Sequence, residues 1–200
     1  TCSFQAEDMA ALHLAREFSP QLPVLFLETG YHFRETVAYR DEMARRWGLR
    51  LVNLQAPLSR AEHEARFGIL HQSNPSGCCR LRKVEPLLEG LEPYSLWITG
   101  LRREQSPTRR NLQVEEAHTL PSGRVIVKLN PLAAWTWKDV LGYCAVHEIP
   151  LLPLYEQGYT SIGCAPCTAK PADPANPRSG RWGGVKLECG IHTFDRGAGS

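Results

Sequence analysis

Seven cysteines stand in a chain of 200 residues, and four of them fall into two close pairs, Cys78-Cys79 and, far downstream, Cys164-Ala165-Pro166-Cys167. Four thiolates brought together form a soft donor set that selects zinc or an iron–sulfur cluster. The two-residue gap in the second pair lets both sulfurs face one centre. The first pair is less usual. Adjacent residues of a helix or strand point in divergent directions, so both reach one small ion only with strain, whereas a cubane offers each a separate corner. That geometry tilts the choice towards a four-iron cluster, with structural zinc as the competitor. A disulfide framework is disfavoured, because seven is an odd number, the chain is long enough for its own core, and no secretory segment is read at its start.

Cys189 lies outside that set, beside Gly190, with His192 and the basic residues Arg178, Arg181 and Lys186 close in sequence. The thiolate is the reactive form of cysteine, and positive neighbours favour it. A nucleophile and a stray tail cysteine fit this spacing equally well. Lys83 follows Cys79 by about one helical turn, so its ammonium could share a face with the metal centre. Four thiolates around a doubly positive cubane carry about minus two charges, and a cation beside them would shield an anionic substrate. A solvated surface lysine is the plain alternative. Arg102, Arg103, Arg178 and Arg181 could fork onto sulfate or phosphate oxygens, although each alone reads as surface charge. The turn over residues 3–8 could offer N–H groups to a phosphate, yet it lacks the glycines that allow close approach. Cys144 reads as core filling and Cys2 as a bystander.

These side chains need a scaffold, and the hydrophobic periodicity supplies one. Met9, Leu12, Ala15 and Phe18 recur at helical spacing behind an acidic first turn, so a helix starts near Ala6. Val24-Leu25-Phe26-Leu27 is a short apolar run of the kind a buried parallel strand shows, ending in Glu28-Thr29-Gly30. Residues 34–47 read as a helix, 51–54 as a strand, and Ser59-Arg60-Ala61-Glu62 as a capping box opening another helix. A helix follows the first cysteine pair up to Leu91. Leu96-Trp97-Ile98-Thr99-Gly100 and residues 125–129 are further strands, and Thr136-Trp137-Lys138-Asp139 caps a last helix. Such alternation predicts a single α/β domain with a mostly parallel sheet flanked by helices, whose ligands sit beyond the carboxyl ends of the strands. From Lys170 onward prolines and glycines break every period. The expected division is therefore 1–169 as a nucleotide- and cluster-binding domain and 170–200 as a mobile C-terminal catalytic tail.

Composition narrows the function. With 42% apolar residues and a net charge of +2, the chain reads as soluble and globular. Its longest apolar runs are short and interrupted, so no membrane partner is expected and a cytoplasmic location follows by default. The basicity is too slight to argue for nucleic acid. Arg102, Arg103, Arg109 and Arg110 form a local cluster that a small anion explains as well. Opening at Thr1 in what reads as the end of a strand, the sequence is expected to continue upstream in the native protein.

Six segments, taken in order, carry a family resemblance: Ser3-Phe4-Gln5-Ala6-Glu7-Asp8-Met9, Leu27-Glu28-Thr29-Gly30, Cys78-Cys79-Arg80-Leu81-Arg82-Lys83-Val84-Glu85-Pro86-Leu87, Thr99-Gly100-Leu101-Arg102-Arg103-Glu104-Gln105-Ser106, Cys164-Ala165-Pro166-Cys167 and Glu188-Cys189-Gly190-Ile191-His192. Together they resemble the assimilatory adenylyl-sulfate (APS) reductases, the cluster-bearing branch of the sulfonucleotide reductases. The resemblance covers nearly the whole chain. It implies an adenine-nucleotide α-hydrolase-like (Rossmann-like) fold, a 4Fe-4S cluster on Cys78, Cys79, Cys164 and Cys167, and a catalytic cysteine at Cys189. It further implies that Lys83, Arg178, Arg181 and His192 hold the phosphosulfate end, while Ser3, Leu27, Glu28, Thr29, Gly30, Gly100 and Arg102 contact the nucleotide. Thioredoxin is the implied reductant, and a homo-oligomer is expected. The chain departs from the family in two places: Gln5 stands where relatives often carry glycine, and the spacer between Trp182 and Cys189 is short. The alternatives are a 3′-phosphoadenylyl-sulfate (PAPS) or dual-substrate reductase and, from another class, a zinc-stabilised nucleotide-binding or RNA-modifying module.

Overall fold

In a computed structural model, which describes residues 1–173, 176–184, 186 and 188–191, the chain alternates helix and strand as its periodicity dictates. The elements are α1 (Ala6–Phe18), β1 (Pro23–Glu28), α2 (Arg34–Trp47), β2 (Arg50–Gln55), α3 (Arg60–Phe67), the short helices α4 (Leu70–Ser73) and α5 (Pro75–Cys79), α6 (Glu85–Leu91), β3 (Leu96–Ile98), β4 (Glu115–Thr119), β5 (Val125–Leu129) and α7 (Trp137–Val146). A π turn over Arg80–Val84 joins α5 to α6.

β1 and β2 pair in parallel from Pro23 opposite Arg50 to Glu28 opposite Gln55. β5 pairs in parallel with β3 and antiparallel with β4. The first two residues link these groups, since Thr1 N donates to Ile98 O and Cys2 N to Leu25 O, each at 2.9 Å. The result is a two-stranded sheet, β1-β2, and a three-stranded sheet in the order β3, β5, β4, bridged by residues 1–2 and parallel throughout except for β4. That strand was not anticipated. Its sequence, Glu-Glu-Ala-His-Thr, has little strand propensity of its own, and pairing with β5 holds it, helped by Glu116 facing Lys128 across the ladder at 3.2 Å.

The capping signals act as read. Ser59 and Thr136 both form reciprocal capping boxes, and α2 stops at Gly48, whose φ of +59° suits a residue without a Cβ. The region of the first cysteine pair differs from expectation: the pair sits within a helix rather than just before one. Asn74 starts α5 by accepting from Gly77 N at 2.9 Å, with Pro75 at the first helical position. Eleven residues after Pro75, Pro86 cannot donate to the carbonyl of Arg82 and crowds it. The extra residue of the π turn, in which Glu85 N bonds Arg80 O, relieves that conflict.

β1 is covered on both faces, as a central parallel strand must be. Val24 and Phe26 pack with Phe4, Met9, Met43, Leu132 and Val140, and this cluster also buries Cys2 and Cys144 as ordinary core residues. Leu25 points the other way, into Leu87, Leu91, Trp97, Leu120 and Ile126. Leu87 is fully buried where α6 meets the sheet. Leu87→Ala is therefore expected to lower the unfolding free energy by about 2–5 kcal/mol, read as a lower urea midpoint at unchanged slope. Among the described residues, no helix is long and apolar enough to cross a membrane.

Candidate functional site

The carboxyl ends of β1, of the opening residues and of β3 converge on one crevice, as a parallel sheet requires. Asp8 stitches its floor. One of its oxygens accepts from Ser3 N and Ser3 Oγ, both at 2.6 Å, and the other accepts from Gly100 N at 3.1 Å. Burial pushes the Asp8 carboxyl above its ordinary range, against the pull of the Ser3 hydrogen bonds. Gly100 is needed there, because any Cβ would collide with Asp8. The left-handed residue of this loop is Phe4, at φ +61°, while Gln5 is extended and spans the loop by donating to Ser3 Oγ (3.1 Å) and accepting from Ile162 N (2.8 Å). At the tip of β1, Glu28 accepts from Gly30 N (3.0 Å) and Arg40 Nη1 (2.9 Å), and the Leu27 carbonyl meets His32 at 2.8 Å.

Beside that tip the four paired cysteines share one pocket with Thr29, Tyr31, His71, Arg82, Lys83 and Trp182. Each pair is carried by its own short element. α5 presents Cys78 and Cys79, both buried, and Arg82 ties the following turn to β1 by donating from Nε to Thr29 O (2.6 Å) and from Nη1 to Leu58 O (3.1 Å). Cys164 and Cys167 close a 3-10 turn through Cys167 N to Cys164 O (3.0 Å). Tyr31 O accepts from Ala165 N (2.7 Å), and Thr29 Oγ1 lies 3.4 Å from the Cys164 sulfur.

The chemistry of this donor set fits a cluster. The Cys78 thiol is pushed up to about 11, first by burial and then by the charges of Cys79, Cys164 and Cys167, and the Cys79 and Cys167 thiols rise chiefly by burial as well. Four thiols gathered in one pocket suit a cationic core that would take them as thiolates. Four such thiolates are the ligand number of a 4Fe-4S core, and equally of a structural zinc. Lys83 is half-buried beside them. Burial pulls its ammonium down, yet the charges of Cys164, Cys189 and Cys79 outweigh this and hold it above the usual lysine range.

The tail folds back over this pocket. Thr168 and Arg181 form an antiparallel bridge, with Ala169 N donating to Gly180 O at 2.8 Å. Trp182, itself at φ +48°, lies under a stack of cations, 4.4 Å from Arg181, 5.6 Å from Lys186 and 5.9 Å from Arg178. Both Arg178 and Arg181 reach Ser161 Oγ at 3.4 Å, and Gly163 leaves room for the Arg181 guanidinium, which any Cβ there would strike. Cys189 is half-buried. It is not part of the pocket lining but is close enough for its charge to act on Cys79, Lys83, Arg178 and Arg181.

Of the residues expected at a site, Thr29, Lys83 and the four paired cysteines line one pocket; Arg178, Arg181 and Cys189 lie against it; and Ser3, Leu27, Glu28, Gly30 and Gly100 line the adjoining strand ends. Arg102 stands apart. It is almost fully buried and its guanidinium is taken by Glu7 (2.9 Å) and Glu104 (2.6 Å). His192 lies outside the described residues. Sequence reading missed Asp8, Arg82, Tyr31 and Trp182. Only Trp182, set among arginines and a lysine, left a trace that cation–π pairing could have turned into an expectation.

Residues 1–170 match the family described as the phosphoadenosine phosphosulfate reductase domain. The chain is 46% identical over 191 residues to an adenosine 5'-phosphosulfate reductase of Rhodococcus opacus (strain B4), spanning 93% of this chain and 75% of that protein. It superimposes on the phosphoadenylyl-sulfate (PAPS) reductase of Candida auris, solved as a phosphate complex, with a TM-score of 0.69 at 25% identity over 84% of this chain and 80% of that one. The FMN adenylyltransferase of Candida glabrata, with a TM-score of 0.61 at 17% identity over 85% of this chain and 55% of its own, is alike in fold alone.

Proposed function

Because the chain belongs to the phosphoadenosine phosphosulfate reductase family, we propose that it is an adenylyl-sulfate reductase of sulfate assimilation, with Cys189 as its nucleophile. In the first step the Cys189 thiolate attacks the sulfur of APS. A sulfur–sulfur bond forms, the sulfur–oxygen bond to the nucleotide breaks, and AMP leaves with the electron pair, so the enzyme is left as an S-sulfo cysteine. In the second step a thiolate of reduced thioredoxin attacks Cys189 Sγ and expels sulfite. The thioredoxin dithiol supplies both electrons and ends as its disulfide.

The observation that carries this reading is the separation of roles among the sulfurs. Four cysteines share a pocket as a would-be ligand set, and a fifth, on another segment, acts on the same half-buried lysine without lining that pocket. Cys78, Cys79, Cys164 and Cys167 would hold a 4Fe-4S cluster, which would tie the two cysteine segments together and set the local charge. Lys83, Arg178, Arg181 and His192 would bind the sulfate and phosphate oxygens in charge-assisted hydrogen bonds and offset the charge that grows on the leaving phosphate. Ser3, Leu27, Glu28, Thr29, Gly30 and Gly100 would shape the nucleotide crevice. Arg102, braced by Glu7 and Glu104, would act there by fixing the loop that follows β3. In this reading residues 1–169 bind nucleotide and cluster, and 170–200 form the catalytic tail that closes over substrate and opens to the protein reductant. A cytoplasmic location and a homo-oligomeric assembly complete the proposal.

Purified protein is expected to be brown, to contain iron and acid-labile sulfide, and to release sulfite from APS with reduced thioredoxin. Colourless, iron-free, zinc-replete protein would instead support the zinc-stabilised nucleotide-binding or RNA-modifying module. In competition kinetics, saturation by PAPS as efficiently as by APS would move the substrate assignment to a PAPS or dual-substrate reductase.

A further inference from the structure

We propose that Glu188 is a positioning residue for the reductase reaction: its carboxylate latches the tail to the loop after β3, holding Cys189 over the substrate for sulfur transfer and releasing it for reduction. The inference rests on the reductase reading and adds to it a residue and a division between its two steps.

Glu188 directly precedes Cys189, so anchoring its side chain fixes the backbone that aims the thiol. The anchor is unusually complete. One carboxylate oxygen accepts from Arg109 Nε (3.0 Å), Ser106 Oγ (3.0 Å) and Thr108 Oγ1 (2.9 Å), while the other accepts from Arg109 Nη2 at 2.7 Å. Arg178 approaches that second oxygen at 3.5 Å. The side chains of Glu188 and Arg109 are only 10% and 11% exposed, so this is a forked ion pair shielded from water and not a surface contact. Although burial opposes ionisation of Glu188, the hydrogen bonds and charge of Arg109 keep its carboxyl below the usual range.

The partners come from two places that matter. Ser106, Thr108 and Arg109 continue the segment that begins at Gly100 and Arg102, on the nucleotide side of the crevice. Arg178 belongs to the tail, where it would face the phosphosulfate. Glu188 thus stands between two guanidiniums, and Arg178 feels the other: its guanidinium is pulled down to about 10, first by burial and then by the charge of Arg109. Neutralising Glu188 removes the ion-pair component of the fork and leaves the largely shielded Arg109 guanidinium facing a neutral amide, which loosens the tail from the loop. Shape alone cannot replace the charge, so the amide is a discriminating substitution.

A latch that closes for the first step must open for the second, since thioredoxin has to reach a sulfur that is half-buried when the latch is shut. The full-length holoprotein carrying Glu188→Gln is expected to form the S-sulfo adduct with APS roughly 10- to 100-fold more slowly in a single turnover followed by intact mass, because misaligned nucleophiles lose rate on that scale. Iron content is expected to stay unchanged, and sulfite release from preformed adduct by reduced thioredoxin to be unchanged or faster. Arg109→Gln is expected to do the same and the double variant no worse, since both remove one interaction. Should Glu188→Gln lose iron, Arg109→Gln carries the identical test. Equal slowing of both steps, or adduct formation at the wild-type rate, would overturn the latch. If wild-type protein forms no adduct with APS, it is the reductase reading that falls. The latch is then tested by iodoacetamide alkylation of Cys189, expected to quicken in Glu188→Gln, with an unchanged rate refuting it.

Discussion

Cys189→Ser is expected to cut sulfite formation from APS by on the order of 10⁴-fold or more while leaving the iron content of the protein unchanged. Serine keeps the shape of the side chain but puts a far weaker nucleophile in its place. None of the four paired cysteines is touched, so colour, labile sulfide and AMP binding should survive. Rescue by another thiol is blocked by structure: Cys2 and Cys144 are 4% and 2% exposed within the core, and the remaining four are committed to one pocket. Intact mass after mixing with APS checks the point directly, because wild-type protein gains a sulfo group and the variant should not. An undiminished adduct in Cys189→Ser would take Cys189 out of the mechanism and with it the tail as the catalytic element.

What the sequence could convey here was local, and what it concealed was pairing across distance. The span of α2 and the capping boxes at Ser59 and Thr136 follow from residues within one turn of each other, so pattern alone places them. β4 has no such local signal, because its stability comes from a partner strand. The π turn is similar: Pro86 is visible in the sequence, but whether a helix breaks or bulges at a proline depends on what the neighbouring turn must reach. Here Arg82 must reach Thr29 O and Leu58 O while Cys78 and Cys79 stay in the pocket.

The candidate site divides along the same line. The two cysteine pairs announced a shared centre through residue type and spacing, and they line one pocket. The arginine cluster at 102, 103, 109 and 110 read as a seat for a small anion. Two of its members have instead found carboxylates of their own chain, Arg102 taking Glu7 and Arg109 taking Glu188. Charge is legible in a sequence, whereas which opposite charge will come within 3 Å is decided by topology. Gln5 makes the converse point. A missing glycine looked like a loss of freedom in the first loop, but the left-handed conformation falls on Phe4, whose ring is buried against Phe26 and Tyr39 at centroid distances of 5.8 and 6.5 Å. Core packing there offsets a strain that local rules would have assigned elsewhere.

Lys83→Met is expected to slow adduct formation by roughly 10²- to 10⁴-fold, the scale on which a preorganised cation stabilises developing negative charge in a site shielded from water. Methionine keeps most of the stem volume and removes only the charge. Two effects then act in the same direction. The negative charge of the thiolate-ligated centre would be felt undiminished by an incoming phosphosulfate, and the cation whose charge interacts with Cys189 would be gone. Because Lys83 leaves the turn that follows Cys78 and Cys79, its removal also tests whether the lysine merely balances the quartet. In that case iron would be lost and adduct formation would fall only in proportion. Retained iron with a slow first step places the cation in the transition state. Lys83→Arg should recover part of the rate, since the charge returns on a broader, planar head that does not reproduce the point charge of an ammonium. Full activity of Lys83→Met at saturating APS would show that the arginines of the tail alone carry the substrate's charge.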